Sequence, residues 1–177
     1  MNQIGDFLRG LRGMDERVRI QGRVHYDLIG PDGTVKKSGD THNIVTDKGD
    51  ALFSSLAYTA APTFNMKLGK TATAASKTYD AAGGWIADAD SEADGQQAMD
   101  ATYPKVGASA NIAQFKVTYA AGDATATWNR VALVDSTESV PTDGTLTYAI
   151  AALPDLPVVK GAGDSLAITW TITFLGA

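Results

Sequence analysis

Residues 17–28, RVRIQGRVHYDL, alternate strictly between apolar and polar positions. The even positions carry valine, isoleucine, glycine, valine, tyrosine and leucine, whereas every odd position carries a polar side chain. Such alternation predicts a β-strand with one buried and one solvent-exposed face. The exposed face would present Arg17, Arg19 and Arg23. One face can therefore build a sheet core, while the other offers guanidinium groups to an acidic partner.

The composition is that of a folded domain without cysteine chemistry. The chain has 177 residues, 44% of them hydrophobic, which is enough for the core of one sandwich-sized domain. It contains no cysteine, which excludes disulfides, thiolate zinc sites and a cysteine nucleophile. The formal net charge of −5 disfavours nucleic acid and membrane surfaces as partners. No signal peptide or run of membrane-span length is visible, so we expect synthesis in the cytoplasm.

Residues 1–16 form a predicted N-terminal arm. Ile4, Phe7, Leu8 and Leu11 fall at the i, i+3, i+4 and i+7 spacing of one helix face. Two glycines weaken this helix, and a helix of about ten residues is marginal alone. Its apolar face therefore needs a surface to pack on. That surface belongs either to a neighbouring subunit or to the chain's own domain, and the pattern does not choose between them.

Two turns and a helix are predicted after the first strand. The turn over 30–33 combines proline with a glycine that accepts positive φ, so residues 34–37 should pair back against the first strand. A second break is expected at 38–40, followed by a short strand over 42–45. The next segment predicts a helix over 47–58, with Thr46 or Asp47 as its N-cap. Its packed face would consist of Ala51, Leu52, Ser55 and Leu56, extended by Phe53.

Two segments of the chain resemble small tailed-bacteriophage virion proteins. Residues 22–56 match their strand–turn–strand opening, followed by an HN-x-V-T-x-x-G segment and a helix. The ending D-x-L-x-I-x-W-x-I-x-F, residues 164–174, is similar to the same proteins. The resemblance implies a virion component, most often a capsid decoration (cement) protein or a tail part, assembled as a trimer or dimer. The matching residues of the first segment are Gly30, Pro31, Asp32, Gly33, His42, Asn43, Val45, Thr46, Gly49, Leu52 and Leu56.

The region of about 70–110 is predicted to be a long loop. It is rich in alanine, threonine, serine and glycine, and a loop of this length either contacts a partner or contains small elements. Trp85 would anchor it to its own domain or to a neighbour. The acidic run 88–94 invites a calcium interpretation, but a calcium-binding loop starting at Asp90 has Ala101 where a bidentate glutamate is required. A solvated acidic loop is therefore favoured.

The C-terminal part supplies the remaining strands. Apolar residues alternate over 115–119 and again at 146, 148 and 150. In the segment ATATWNRVALVD the apolar parity switches after Trp128, which predicts a bulge near Asn129-Arg130. The prolines at 154 and 157 argue against a central strand there. The clearest second alternation runs from Leu166 to Phe174, which we expect to be a central strand of the core.

These patterns predict a mainly β protein. The expected architecture is an antiparallel β-sandwich or jelly-roll of seven or eight strands over 17–177, with one short helix and the N-terminal arm. With two histidines and no catalytic spacing of carboxylates, we expect neither enzyme activity nor a cofactor or metal. The expected function is a decoration protein on the virion surface, bound to the major capsid protein. A tail, neck or baseplate component and a carbohydrate-binding module are the alternatives; the module would use Tyr79, Trp85 and Tyr103. The candidate contact residues are Ile4, Phe7, Leu8, Leu11, Arg17, Arg19, Arg23 and Trp85.

Overall fold

The computed structural model describes residues 19–55, 62–70, 77, 95–137, 147–153 and 157–175. Within these ranges the chain forms twelve strands and one helix, so the prediction of a mainly β protein is confirmed. The elements in chain order are β1 (Arg19–Ile29), β2 (Val35–His42), β3 (Ile44–Val45), α1 (Asp47–Ser55), β4 (Phe64–Gly69), β5 (Gln96–Ala98), β6 (Lys105–Val106), β7 (Ile112–Tyr119), β8 (Thr127–Trp128), β9 (Arg130–Asp135), β10 (Thr147–Ala152), β11 (Val158–Val159) and β12 (Ser165–Leu175).

Two five-stranded antiparallel sheets form the body of the fold. The first has the order β2-β1-β12-β7-β6, and the second has the order β3-β10-β9-β4-β5. A separate two-stranded sheet pairs β8 with β11. The chain's first and last described strands pair along their whole length, from Arg19 opposite Leu175 to Ile29 opposite Ser165. The pairing confirms that the C-terminal alternation is a central strand.

The apolar faces of the two sheets share one core, which makes the fold a sandwich. Val24, Tyr26 and Trp170 of the first sheet are fully buried, as are Met66 and Leu133 of the second. Each such side chain contributes roughly 1.5–3 kcal/mol through burial. The even positions of β1 point into this core, as the alternation predicts. The sandwich therefore rests on the two strands that the sequence marks most clearly.

Tyr119 links the two sheets through the core. Its hydroxyl donates a hydrogen bond of 3.0 Å to the carbonyl of Met66, so a strand of the first sheet is tied to a strand of the second. The side chain is fully buried, and this burial raises the pKa of Tyr119 well above its ordinary value. The phenol is therefore neutral in the folded protein.

The second sheet is buried on both faces at its centre. Ala132, Val134 and Ile150 form a second apolar cluster, separate from the main core, and each is fully buried. A strand enclosed on both faces has no polar alternation to show. This explains why β9, RVALVD, reads as a continuous apolar run.

The predicted strand count and one predicted turn are wrong. Twelve strands occur in the described residues rather than seven or eight, because five of them have only two or three residues. The expected break at 38–40 is absent, since β2 continues to His42. Gly39 lies opposite Tyr26 and Asp40 opposite His25, so the long partner strand keeps this segment extended. The chain breaks at Asn43 instead, where it crosses to the second sheet.

The parity switch near Asn129 has a different cause from the predicted bulge. Trp128 ends β8, and Arg130 begins β9 in another sheet. The Asn129 backbone stands between them, donating to the Gly69 carbonyl at 2.9 Å and accepting from the Leu153 N–H at 2.9 Å. The register shift of the second sheet lies in β10 instead, between Thr147 and Ala149.

That shift changes which side chains of β10 share a face. Tyr148 packs in the main core, whereas Ile150 belongs to the separate cluster on the other side of the sheet. The sequence pattern predicts that both side chains lie on the same face of the sheet, and this prediction is wrong. A bulge adds one residue to the strand, so the side chains that follow it lie on the opposite face.

Candidate functional site: the outer face of β1 and its flanks

The odd positions of β1 form a polar outer face, as the alternation predicts. Arg19, Gln21 and Arg23 are exposed, and His25 and Asp27 are half-buried on the same side of the strand. The next strand along the sheet edge, β2, adds Asp40 opposite His25. The predicted contact residues Arg19 and Arg23 thus lie on one face of β1, separated on that face by Gln21. Arg17, the third of the predicted row, lies outside the described residues.

Arg23 belongs to a small charge network rather than standing alone. Its Nε donates to Asp40 Oδ1 at 3.0 Å. The ring nitrogens of His25 lie 3.1 Å from Asp40 Oδ1 and 3.2 Å from Asp27 Oδ2. The hydrogen bond from Arg23 is the main reason that the pKa of Asp40 lies below its ordinary value. Around Arg23, the outer face of β1 therefore carries both positive and negative groups.

Arg19 stands at the open end of this face. No ion pair joins Arg19 to another described residue, and it borders a polar hollow with Asp50 and Lys77. Lys77 donates to the Asp50 carboxylate and lies 3.9 Å from Asp47. The acidic groups nearby are thus occupied by lysine. Among the described residues, the Arg19 guanidinium therefore has no carboxylate partner.

The segment His42–Gly49 forms a structural joint between the two sheets. The backbone N–H of Asn43 donates to the Gly22 carbonyl at 3.2 Å, and the Asn43 side chain occupies the space that a β-carbon at Gly22 would fill. Thr46 is the helix cap, since its Oγ1 accepts from the Gly49 N–H at 3.0 Å. This decides between the two predicted caps, Thr46 and Asp47, in favour of threonine.

Thr46 and Gly49 also hold the helix against the second sheet. The Thr46 hydroxyl donates to the Thr147 carbonyl at 2.7 Å, and the Thr46 N–H donates to the Tyr148 carbonyl at 3.0 Å. A β-carbon at Gly49 would overlap that same Tyr148 oxygen. The motif glycine is therefore required by close approach of two backbones.

The helix face agrees with the prediction only in part. Leu52 and Phe53 pack against the main core, and Ser55 is half-buried. Ala51 is exposed, so its predicted place on the packed face is wrong, because Gly49 rather than Ala51 makes the close contact with β10. Leu56 lies outside the described residues.

A second joint closes the turn before β12. Lys36 Nζ donates to Asp164 Oδ1 at 2.6 Å, and the Gly161 N–H donates to Asp164 Oδ2 at 3.1 Å. The contact with Lys36 is the main cause that holds the pKa of Asp164 below its ordinary value. The fully buried Lys160 donates to the carbonyls of Ala120 and Asp123 at 2.8 and 2.6 Å.

An apolar cleft lies at one end of the sandwich, and the sequence did not indicate it. It has a volume of about 340 Å³ and is lined by side chains from both sheets and α1. Phe64 and Phe115 meet edge to face at its base, with ring centroids 5.1 Å apart, and Phe53 meets Phe174 at 5.7 Å. The remaining lining residues are Pro104, Lys105, Val106, Ala110, Ile112 and Ala113.

Several predicted contact residues fall outside the described structure. These are Ile4, Phe7, Leu8 and Leu11 of the arm and Trp85 of the loop, as well as the acidic run 88–94. In the described part of the 70–110 region the chain forms the short strands β5 and β6. Of the three aromatic residues considered for sugar binding, only Tyr103 is described; it is half-buried, with Lys105 Nζ 4.5 Å from its ring centroid.

Within the described ranges, no three histidine, cysteine or acidic side chains are grouped so that they could hold a metal ion. The single described helix is too short and too polar to cross a membrane.

Comparison with models of protein families finds no match for this chain, and comparisons with curated proteins and with solved structures find none either.

Proposed function

We propose that this protein is a non-enzymatic structural component of a tailed-bacteriophage virion that binds the capsid exterior and reinforces contacts between capsid subunits. The observation that carries the proposal is the exposed outer face of β1, in a chain of net charge −5. On this face Arg19 has no carboxylate partner among the described residues, while Arg23 is paired with Asp40. An exposed guanidinium at one end of a mixed-charge face favours one docking orientation on a surface of complementary charge pattern. The partner is the major capsid protein.

The joint between the two sheets supports this proposal. The residues that carry the resemblance to phage virion proteins, Asn43, Thr46 and Gly49 among them, are used to join the two sheets. Such a joint stabilises a sandwich that keeps its shape while its outer face binds. Docking then proceeds by burial of surface area together with charge complementarity.

The test is sedimentation of the protein with expanded empty heads. We expect the wild-type protein to pellet with the heads, and R19A/R23A to bind about two- to thirtyfold more weakly, since exposed charge pairs contribute roughly 0.2–1 kcal/mol each. The matched control is K48A, compared with R19A and R23A taken singly, since each of the three removes one positive charge and Lys48 is exposed on α1, outside the face of β1 and the lining of the apolar cleft. Equal weakening by K48A and the single arginine variants would show that net charge, not this face, drives binding.

The same assay separates the alternatives. Binding to isolated tails but not to heads would replace the capsid proposal with a tail, neck or baseplate role. A specific hit on a glycan array, lost in Y103A, would favour a carbohydrate-binding module. Because the resemblance implies a trimer or dimer, the mass in solution is measured by sedimentation equilibrium alongside these experiments.

A further inference from the structure

We propose that the apolar cleft at the end of the sandwich is the docking site for the apolar helix face of the chain's own N-terminal segment, residues 1–18. The described lining of the cleft is hydrophobic, and Lys105 is the one charged residue in that part of it. Val106 at its rim is 68% exposed, and Phe53, Ile112 and Phe174 are only half-buried. Such a surface is left open to solvent in few folded domains unless something covers it.

The lining favours apolar protein side chains over a small molecule. Ligand pockets combine a mainly apolar lining with a few precisely placed polar groups that orient the ligand. Here the aromatic and aliphatic side chains of Phe53, Phe64, Val106, Ile112 and Phe174 dominate, so orientation must come from shape. An amphipathic helix that lays its apolar face into a hydrophobic groove meets this requirement.

The position of β1 favours the predicted N-terminal helix as the helix that docks in the cleft. Ile20 lies opposite Phe174 in the strand register, and these two residues line, with Phe53, a second hollow beside the cleft. Arg19, the first described residue, therefore directly precedes a residue that lines the hollow adjoining the cleft. The eighteen residues that precede it carry Ile4, Phe7, Leu8 and Leu11 at helical spacing.

The short connection decides for the chain's own segment. The chain from Leu11 to Arg19 can span at most about 26–29 Å, so Leu11 is held within that distance of Arg19, whose neighbour Ile20 lines the hollow that adjoins the cleft. A segment tethered by so short a link has an effective concentration in the millimolar range. A second copy at micromolar concentration competes poorly with it.

The absence of cysteine in the chain allows a direct test by paired substitution. In the full-length protein we pair Leu8→Cys, on the apolar face, with Val106→Cys at the cleft rim; the control pairs Arg9→Cys, off that face, with Val106→Cys. Under mild oxidation at about 10 µM protein, the intrachain disulfide of L8C/V106C should outpace any interchain product about 100-fold. The R9C/V106C control should lose most of this intrachain product.

The outcomes separate the possible occupants. Equal intrachain yields for the two pairs, or none for either, would overturn the proposal. Disulfide-linked dimers that form at a concentration-dependent rate would assign the cleft to a second copy instead. As an independent readout, the full-length F7S/L8S variant should bind a hydrophobic dye that the wild type and R9S/R12S do not; equal dye binding by the wild type would show that the cleft is open.

Discussion

Replacing Gly49 with alanine tests whether helix propensity or a tertiary contact determines the stability of the protein at this position. Within a helix, alanine is more favourable than glycine by about 0.8–1 kcal/mol, so helix propensity alone predicts a more stable protein. The structure predicts the opposite, because the new β-carbon would overlap the Tyr148 carbonyl oxygen and would also lie 2.9 Å from Val45 Cγ1. A backbone oxygen cannot rotate away as a side chain can.

The size of the effect follows from the contacts around Thr46. Ordinary carbon–oxygen contacts are about 3.3–3.6 Å, so α1 would have to move by roughly 1 Å or more. The move would stretch the 3.0 Å bond from the Thr46 N–H to Tyr148 and the 2.7 Å bond from its hydroxyl to Thr147. Losing two or three buried hydrogen bonds costs about 2–4 kcal/mol. After the propensity gain, we expect G49A to lower the free energy of unfolding by about 1–3 kcal/mol.

Urea unfolding followed by tryptophan fluorescence measures this change, since Trp128 and Trp170 are fully buried. The control is A51G at an exposed position of the same helix, which should cost about 1 kcal/mol through propensity alone. The two variants change glycine content in opposite directions, yet both should lose stability. An unfolding midpoint for G49A equal to or above that of the wild type would refute the close contact between α1 and β10.

Three further predictions concern the other joints of the fold. Thr46→Ala removes the cap of α1 and should cost about 2–3 kcal/mol in urea unfolding, whereas Thr46→Ser retains most of that stability; equal losses would contradict the role of the hydroxyl. Asp164→Asn removes a carboxylate whose folded pKa is lowered by Lys36, so the wild type's stability advantage should be complete above the ordinary value of 3.8 and disappear as pH falls below it. Thermal melts of both proteins from pH 7 to pH 2 test this, and a constant difference in Tm would argue against it. Tyr119→Phe should cost about 1–2 kcal/mol, and because burial raises the folded pKa, the wild type should lose more stability than the variant as pH rises above 10.0. Thermal melts of the two proteins at alkaline pH measure this, and an equal fall in Tm for both would contradict the prediction.

The sequence predicts the sandwich because its two longest strands are half-buried along their length. In β1 and β12 every second residue enters the core, so composition and position agree over eleven residues each. The turn with Gly33 at positive φ is predictable for the same reason, since its conformation depends on residues within the turn.

The errors fall where a partner strand decides the outcome. A parity switch at Asn129 has the same pattern whether it comes from a bulge or from a change of sheet, and only the contacts with Gly69 and Leu153 distinguish the two. The role of Gly49 depends on a carbonyl about a hundred residues away in sequence. The charge network of Arg23 and Asp40 likewise requires the register between β1 and β2.

The pairing of the first described strand with the last has a consequence for synthesis on the ribosome. β1 is synthesised well before its central partner β12, which begins at Ser165, after 135 intervening residues. At translation rates of about 5–20 residues per second, the apolar face of β1 therefore waits roughly 7–27 s for the strand that completes its sheet. During that interval only β2, a polar strand with two lysines near its start, can pair with it. The lysines then discourage edge-to-edge association between nascent chains.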